Sequence, residues 1–467
     1  MALWTIDDLL KGTGGNLQQR GSRILDGVGT DTRADLTGKV FFALRGENFD
    51  AHEFAGAAVQ KGAAAIIIDK PVPKVSGEVT IIRVEDTLKA LQSMGLWHRS
   101  QWQGKLVGLT GSNGKTTTKE FCHTILSQKF SVLSTKGNLN NHIGVPLTLL
   151  ELRTHHKIAV VEMGMNHAGE ITELVKLSKP DIVLVTNVGR AHIEHFGNLE
   201  KIAQAKEEIY EAAPDKATRI YNLDNQYTAM MRARAPGGCK VFSYSSYARD
   251  VDVSFKEKFL TLDFIEVQGV IQKDPGMARI PSFGRQQIAN AMAASCVALA
   301  CGVEAPLIWK GLALCKSGWG RGQLVDLENG AQVLFDAYNA NPDSCMTAID
   351  NFSKLAARGR KYIVFGDMLE LGDLSKKMHQ EVGEALATVQ PEGILLIGEH
   401  AHDVEFGLRA KGFSKNIVIS KSYEEKLARS FGTVLQTGDI VLIKGSRGMK
   451  LERVLESWRP INFLDKH

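Results

Sequence analysis

Cysteine is scarce in this sequence, and its six copies in 467 residues form no Cys-x-x-Cys pair of the kind that binds zinc or carries out redox chemistry. Long apolar runs are missing as well, because no stretch approaches the roughly 18 residues that a membrane-spanning helix needs. The first eight residues lack a basic start followed by an apolar segment. We therefore expect buried free thiols, no insertion into a membrane and a cytoplasmic location.

An excess of charge of one sign is also absent. The 56 Lys and Arg residues and the 52 Asp and Glu residues leave a formal net charge of +4, and the basic residues are scattered along the chain. A nucleic-acid partner is therefore not expected, whereas small acidic substrates remain possible. A hydrophobic content of 44% and a total of 45 glycines are typical of a globular chain with many short turns.

The length and the order of elements predict an α/β protein of three domains. A typical domain has roughly 150 residues, so a chain of this length is expected to contain about three domains. Short apolar strands alternate with helices, which is typical of parallel sheets covered on both faces. We place a small α/β module at residues 1–84, a central parallel-sheet domain at 85–317 and a C-terminal Rossmann-like α/β domain at 318–467. Alternating apolar residues over 248–280 predict an antiparallel flap, and the glycine-rich segment 318–322 predicts a hinge.

The residues with the clearest chemistry lie near the start of the central domain. Residues 110–117 read TGSNGKTT, between an apolar strand at 105–109 and a helix at 119–127. A glycine loop in that position directs backbone N–H groups and a helix N-terminus at one spot, which favours a phosphate chain. Lys115 would reach the terminal phosphates and the Thr116 hydroxyl would hold Mg²⁺. The predicted nucleotide-binding residues here are Thr110, Gly111, Ser112, Asn113, Gly114, Lys115, Thr116 and Thr117.

Two further strand ends could bring metal ligands to the same edge of the sheet. Glu162 ends an apolar strand, where P-loop proteins place an acidic metal ligand, and a cap for the next helix is the alternative. His192 follows the next strand and is either a second metal ligand or a structural histidine. Lys206 lies in a predicted helix whose outer face would ordinarily be solvated. Its position alone gives it no role.

Taken together, these motifs resemble the Mur ligase family, the ATP-dependent amide-forming enzymes of peptidoglycan precursor synthesis, over nearly the whole chain. They look most like the members that add D-alanyl-D-alanine to a UDP-N-acetylmuramoyl tripeptide. Besides TGSNGKTT, the matching strings are GNLNNHIGVP at 137–146, EMGMNHAGEI at 162–171, NVGRAH at 187–192, DAYNANPDS at 336–344, GDMLELG at 366–372 and KGSR at 444–447.

The resemblance implies roles in ATP and metal binding. Glu162 and His192 would hold Mg²⁺ together with Thr116, and Lys206 would be the family lysine that CO₂ carbamylates. The implied catalytic residues are therefore Lys115, Glu162, His192 and Lys206. Three further positions match those that hold adenine, phosphate and ribose, namely Asn290, Arg321 and Asp336. Gln286 and Gln287 stand where relatives usually carry His and Asn.

The resemblance also implies where the substrates bind. Residues 1–84 would bind the UDP-sugar, and two short strings that would otherwise be solvated turns then become ligand contacts. The implied substrate-binding residues are Asp31, Thr32, Arg33, Asp50, His52, Asn140, Asn141, Asn339 and Asn341. The last two lie in a loop that runs into a helix at Pro342, so they serve either the nucleotide or a zwitterionic dipeptide, or they only form the turn and its cap. The chain is expected to act as a monomer.

The implied reaction is the activation of a carboxylate by ATP as an acyl phosphate, followed by attack of an amine. Other assignments remain open at this point. They are a ligase of the same fold that adds a different amino acid or acts on folate, a P-loop regulatory ATPase, and a non-catalytic nucleotide-binding module. A ligase needs both an acid and an amine before it releases phosphate, whereas an ATPase does not. The third residue of the tripeptide, diaminopimelate or lysine, is not determined by the sequence.

Overall fold

The computed structural model describes residues 3–46, 49–73, 75 and 77–463, and this part of the chain forms three main sheets in sequence order. Within these residues, no helix is both long enough and apolar enough to cross a membrane. All six cysteines are free, and five of them are buried.

The first sheet belongs to the N-terminal unit. The strands of this unit are β1 (Asn16–Gln19), β2 (Val28–Gly29), β3 (Val40–Phe42), β4 (Arg45–Gly46), β5 (Phe49–Asp50), β6 (Ala65–Ile68) and β7 (Thr80–Arg83), and its helices are α1 (Ile6–Thr13) and α2 (Ala55–Gln60). The sheet order is β1-β7-β6-β3-β2, and β4 and β5 form a separate ribbon. Only β1 runs antiparallel to its neighbour in the sheet. Sequence patterns did not predict α1, a short helix that starts at a Thr5–Asp8 capping box.

The second sheet is the largest. Its strands are β8 (Lys105–Thr110), β9 (Val132–Ser134), β10 (Ile158–Glu162), β11 (Ile182–Val185), β12 (Thr218–Asn222), β13 (Val241–Tyr244), β14 (Val253–Leu260), β15 (Ile265–Ile271) and β16 (Asp274–Ile280). The helices of this unit are α3 (Thr87–Gln101), α4 (Lys115–Leu126), α5 (Gly144–Leu150), α6 (Glu170–Ser178), α7 (Ile193–Phe196), α8 (Leu199–Glu211), α9 (Gln226–Ala233), α10 (Gln286–Ala300) and α11 (Ala305–Leu312). The order β16-β15-β14-β13-β12-β11-β8-β10-β9 places β8 between β11 and β10. The loops after these three strands therefore meet at one carboxyl edge, where ligands of open α/β sheets bind.

The antiparallel strands predicted over 248–280 are present, and they lie at one end of the central sheet. Strands β14, β15 and β16 pair antiparallel with one another, but β14 also pairs parallel with β13 through Tyr244 and Val253. The buried side chains Val253 and Phe255 belong to the same core as α10. The alternating pattern identifies half-buried strands, whereas the sheet that they join is decided by this tertiary packing.

The third sheet lies in the C-terminal unit. Its strands are β17 (Gln323–Asp326), β18 (Gln332–Asp336), β19 (Lys361–Gly366), β20 (Gly393–Ile397), β21 (Asn416–Ser420) and β22 (Ile440–Lys444), and its helices are α12 (Pro342–Lys354), α13 (Ser375–Ala387), α14 (Ala401–Ala410), α15 (Glu425–Thr433) and α16 (Glu452–Glu456). The order is β17-β18-β22-β19-β20-β21, parallel except for β17. The predicted α/β class with mostly parallel sheets is thereby confirmed.

A single apolar cluster joins the central and C-terminal units. It contains Val161 and Val185 of the central sheet, Phe283 before α10, and Leu334 and Phe352 of the C-terminal unit. Burial of a shared apolar surface holds the two units against each other. The domain limits at residues 84 and 317 stay predictions.

The N-cap of α3 gives a test of the connection between the first two units. Asp86 accepts a hydrogen bond from the Lys89 N–H at 2.9 Å. We expect Asp86→Ala to lower the free energy of unfolding by about 1 kcal/mol, because one N–H of the first helical turn loses its partner. Urea denaturation measures this change, with the exposed neighbour in Glu85→Ala as the control. Equal stability of the two variants would show that the cap contributes nothing.

Candidate active site

The glycine loop between β8 and α4 is shaped by two close approaches. Gly111 and Gly114 have φ values of 152° and 79°. A Cβ at Gly111 would lie 1.9 Å from Thr186 Oγ1, and a Cβ at Gly114 would lie 2.3 Å from Asn290 Oδ1. Only glycine fits both positions, and the loop therefore presents its backbone and the N-terminus of α4 without side chains in the way.

The segment after β11 holds this loop in place. The Ser112 N–H donates to Asn187 O at 3.0 Å, and the Asn113 N–H donates to Asn187 Oδ1 at 2.9 Å. Thr186 Oγ1 donates to Asn113 O at 2.6 Å. Ser112 Oγ also exchanges hydrogen bonds with the backbone of Gly189. The loop geometry is thus fixed before any ligand binds, as anion binding by backbone amides requires.

Thr116 and Glu162 lie together under the loop. Thr116 Oγ1 donates to Glu162 Oε2 at 2.9 Å, and Asn140 Nδ2 donates to Glu162 Oε1 at 2.9 Å. Glu162 is only 2% exposed, so these bonds satisfy a carboxylate that would otherwise be costly to bury. Arg321 Nη2, from the segment before β17, donates to Thr116 Oγ1 at 2.9 Å.

Two lysines lie beside these groups, of which Lys206 is buried and Lys115 is half-buried. Lys115 Nζ donates to Gly111 O at 2.7 Å, and burial lowers the pKa of Lys115, against the opposing effect of Glu162. Burial lowers the pKa of Lys206 well below its usual range, and the Lys115 charge acts in the same direction. Among the described residues, no hydrogen bond or ion pair is made by Lys206. A neutral amine at this position is the form that reacts with CO₂.

The C-terminal unit contacts the loop through the start of α12. Asn341 caps this helix, and its Nδ2 donates to Asn113 Oδ1 at 2.8 Å. Asp343 accepts hydrogen bonds from the Arg190 N–H at 2.6 Å and from Arg190 Nε at 2.7 Å. Arg190 also lies 3.3 Å from Glu381 of α13. The two units are thus joined beside the phosphate loop by charge-assisted bonds.

His192 contacts the C-terminal unit rather than the predicted metal ligands. Its Nδ1 lies 2.7 Å from Glu370 Oε2, and this contact lowers the pKa of the Glu370 carboxyl. No contact in the described part of the chain joins His192 to Thr116 or Glu162, and no group of three His, Cys, Asp or Glu side chains there is placed to hold a metal. The metal role of His192 stays a prediction.

The predicted adenine position lies at the start of α10. Asn290 Nδ2 donates to Gln287 Oε1 at 2.8 Å, and its Oδ1 accepts from Thr118 Oγ1 at 3.2 Å. Gln286 Oε1 accepts from Asn351 Nδ2 of α12 at 2.8 Å. One helix of the C-terminal unit therefore contacts both the phosphate loop and the start of α10.

The predicted phosphate and ribose positions belong to the C-terminal unit, where Arg321 precedes β17 and Asp336 ends β18. The Arg321 guanidinium lies over the Tyr338 ring at 4.1 Å, which fixes its plane. Asp336 pairs with Lys444 at 2.9 Å, and Lys444 also donates to Asn339 O at 2.8 Å. The Asn339 side chain is exposed and accepts only the neighbouring Ala340 N–H among the described contacts.

The predicted UDP-sugar residues form two separate groups. Arg33 pairs with Asp31 and lowers the pKa of that carboxyl to about 2, and both side chains are largely exposed. Thr32 lies between them. His52 is 3% exposed, its Nδ1 lies 2.6 Å from Asp50 Oδ1, and its Nε2 accepts the Asp69 N–H at 3.1 Å. These bonds give His52 a structural role, which is separate from the predicted contact of Asp50 with the substrate.

Asn141 accepts hydrogen bonds from the Ile143 and Gly144 N–H groups at 3.1 and 2.9 Å, which are the contacts of a turn at the start of α5. Thr110 and Thr117 are buried, and Thr110 Oγ1 has no hydrogen-bond partner among the described atoms. The substrate and nucleotide roles of these residues stay predictions.

The residues present fit a nucleotide and a magnesium ion. The glycine loop leaves a cradle that any Cβ at Gly111 or Gly114 would fill. Thr116 Oγ1 and Glu162 Oε2, 2.9 Å apart, are the hard oxygen donors that Mg²⁺ prefers. Lys115 and Arg321 supply the positive charge that a polyphosphate needs.

Sequence reasoning missed several residues of this site. Arg190, Asp343 and Glu370 lie inside the strings NVGRAH, DAYNANPDS and GDMLELG, but no role was assigned to them. Their position as charged residues in loops at strand ends is the sequence feature that could have identified them as site residues. Glu120 was also missed, and burial beside Gly318 raises the pKa of its carboxyl.

The fold and the glycine loop are those of the P-loop class of nucleotide-binding proteins, and a second α/β unit contacts this loop. The chain matches the Mur ligase middle domain over residues 109–298, the Mur ligase glutamate ligase domain over 320–447 and the Mur ligase family catalytic domain over 25–98. It belongs to the Mur ligase family.

Individual relatives match nearly the whole chain. The UDP-N-acetylmuramoyl-tripeptide--D-alanyl-D-alanine ligase of Bacillus subtilis is 35% identical over 97% of this chain and 96% of its own. The crystal structure of MurF from Acinetobacter baumannii superposes with a TM-score of 0.87 at 33% identity, covering 97% of this chain and 98% of that one. MurF of Thermotoga maritima in complex with ADP gives a TM-score of 0.79 at 30% identity over 92% and 96% of the two chains.

The buried amine of Lys206 gives a pH-dependent test of the site. Burial lowers its pKa, so between the native and unfolded pKa values the unfolded chain binds more protons at this position. Lys206 therefore lowers the free energy of unfolding most at low pH. We expect Lys206→Met to raise the free energy of unfolding in CO₂-free buffer, by more at about pH 6 than at about pH 9.

Denaturant unfolding at both pH values measures this difference. Lys201→Met, at an exposed position of the same helix, is the matched control. A gain of the same size at both pH values would contradict the assignment of a depressed lysine pKa.

Proposed function

We propose that this protein is an ATP-dependent ligase that joins D-alanyl-D-alanine to the terminal carboxylate of a UDP-N-acetylmuramoyl tripeptide in the synthesis of peptidoglycan precursors. Membership of the Mur ligase family, with relatives of that name at over 30% identity along the chain, supports this assignment against a regulatory ATPase or a passive nucleotide-binding module. The expected cytoplasmic location and monomeric state stay predictions.

The observation that carries the proposal is the hydrogen bond from Arg321 to Thr116. It brings a cation of the C-terminal unit to the hydroxyl that follows the phosphate-loop lysine. A site assembled from two units can enclose ATP and the acid, and it can exclude water from an acyl phosphate.

In the first step, a carboxylate oxygen of the tripeptide attacks the γ-phosphorus and ADP leaves. Lys115 and Arg321 stabilise the negative charge on the transferring oxygens, and the loop amides hold the phosphate chain in line. Thr116 and Glu162 would hold Mg²⁺, which when bound neutralises charge on the phosphates. Asn290 would orient the adenine and Asp336 would orient the ribose.

In the second step, the amine nitrogen of D-alanyl-D-alanine attacks the acyl carbon and the carbon–oxygen bond to phosphate breaks. The phosphate leaves with that electron pair. The ammonium group must lose two protons before the amide is complete, one before attack and one after it. A pocket closed to bulk water protects the acyl phosphate while this happens.

Lys206 has a separate proposed role. The neutral Lys206 amine adds CO₂ through its nitrogen and releases one proton to water, which gives an anionic carbamate that is a favourable partner for the Lys115 charge. The exposed Asn339 side chain, in the loop after β18, is proposed to contact the dipeptide. The hydrogen bonds of Asn341 are those of the α12 cap and of a contact with Asn113 in the phosphate loop.

The direct test of this function is phosphate release with ATP, Mg²⁺ and UDP-N-acetylmuramoyl tripeptide, with D-alanyl-D-alanine, single amino acids or no amine as the variable. We expect release only with both the acid and the dipeptide, with one ligated product for each phosphate. Equal release without the acid would indicate an ATPase. A preference for a single amino acid would indicate a different Mur ligase.

The same assay tests the phosphate loop. We expect Lys115→Ala to lower kcat by at least about a hundredfold, because its charge acts mainly on the transferring phosphoryl group. Lys105→Ala, at an exposed position of the preceding strand, is the control. Near-normal kcat in a folded Lys115→Ala protein would remove the proposed role.

A further inference from the structure

The reaction requires a partner for the incoming amine, and this inference rests on the proposed function. At neutral pH the amino group of a dipeptide is an ammonium ion. An ammonium beside Lys115 and Arg321 would be repelled unless a carboxylate lies next to it. The residue that binds it should therefore be an acidic side chain with a free oxygen at this edge of the two sheets.

Most carboxylates at this edge are already engaged. Both oxygens of Glu162 accept hydrogen bonds, from Thr116 and Asn140. Asp343 accepts from the backbone and side chain of Arg190. Asp336 pairs with Lys444. Glu120 lies beside Gly318, and its Oε2 has no hydrogen-bond partner among the described atoms, but this oxygen is buried.

Glu370 differs from these groups. Its Oε2 lies 2.7 Å from His192 Nδ1, and no described residue makes a hydrogen bond or ion pair with its Oε1. The side chain is 54% exposed. Through its contact with His192, this carboxylate of the C-terminal unit reaches the segment after β11 that also holds the phosphate loop.

The backbone holds Glu370 in this position. Glu370 has a φ of 62°, a left-handed conformation that is unusual for a residue other than glycine. Its neighbours Met368 and Leu371 are buried, and the Leu369 N–H donates to Ser446 Oγ at 2.9 Å. The buried neighbours hold the loop while the strained residue points its carboxylate outward. Strain of this kind persists at positions that the surrounding structure fixes, often at functional sites.

We propose that Glu370 Oε1 binds the ammonium group of D-alanyl-D-alanine and holds its nitrogen beside the carbonyl of the acyl phosphate. The loop that carries Glu370 follows β19, and the loop that carries exposed Asn339 follows the nearby strand β18. A zwitterionic dipeptide lying along this edge would place its ammonium at Glu370 and its carboxylate toward the N-terminus of α12. Glu370 thereby selects an amine nucleophile at the second step and takes no part in the first.

The test compares two nucleophiles in Glu370→Gln. Glutamine keeps the size of the side chain and an oxygen that can contact His192, but it removes the charge that attracts an ammonium. With ATP and tripeptide saturating, we expect the KM for D-alanyl-D-alanine to rise about tenfold or more. Hydroxylamine is uncharged at neutral pH and traps the acyl phosphate as a hydroxamate without the dipeptide. We expect this trapping rate to stay within about twofold of the wild-type rate, since it does not need the Glu370 charge.

Glu399→Gln is the matched control, because Glu399 is exposed in the same unit and, among the residues that the structure describes, its side chain pairs only with Lys421. An unchanged dipeptide KM in Glu370→Gln would overturn the proposal. An equal loss of hydroxamate formation would overturn it too, because Glu370 would then act on the first step through His192. A wild-type enzyme that forms hydroxamate but does not use the dipeptide would instead overturn the dipeptide assignment, and this is seen before any variant is compared.

Discussion

The hydroxyl of Thr116 is the point at which the two halves of the site meet. It donates to Glu162 within the central unit and accepts a hydrogen bond from Arg321, which lies 205 residues further along the chain. A buried hydroxyl can make both bonds only if the two units are closed against each other. The shared apolar cluster and the contacts of α12 with Asn113 and Arg190 hold the units in that arrangement. Phosphate binding and closure therefore depend on the same set of contacts.

The electrostatics of the site follow from this closure. Half-buried Lys115 lies near buried Lys206, and its charge interacts with carboxylates of both units, Glu162 and Glu370. Two neighbouring lysine charges that have lost water are unfavourable, and the pKa of each lysine is lowered by burial. An anionic substrate or a carbamate at Lys206 removes part of this cost. The site is thus poised for negative charge, which is the charge that a phosphoryl transfer develops.

The sequence predicts the parts of this arrangement that local patterns control. The phosphate loop, the acidic strand end at Glu162 and the α/β class follow from glycine spacing and apolar periodicity, and the structure has them at those residues. The antiparallel strands predicted over 248–280 are present too, but their place at the end of the central sheet could not be predicted, since the pairing of β14 with β13 depends on packing against α10. Contacts between distant segments, such as Arg190 with Asp343 or His192 with Glu370, have no signature in spacing, because tertiary closure alone brings them together.

The dependence of ATP binding on closure can be measured with one substitution. Asp343→Asn removes the ion pair with Arg190 and keeps the size of the side chain. Removing a negative charge near a phosphate site should by itself tighten ATP binding, because the repulsion falls. If the ATP site forms only when the two units are closed against each other, calorimetry should instead show ATP binding weakened by about tenfold. Part of the binding free energy would then be used to close the units without the Arg190 ion pair. An ATP dissociation constant that is unchanged or lower in Asp343→Asn would contradict the account.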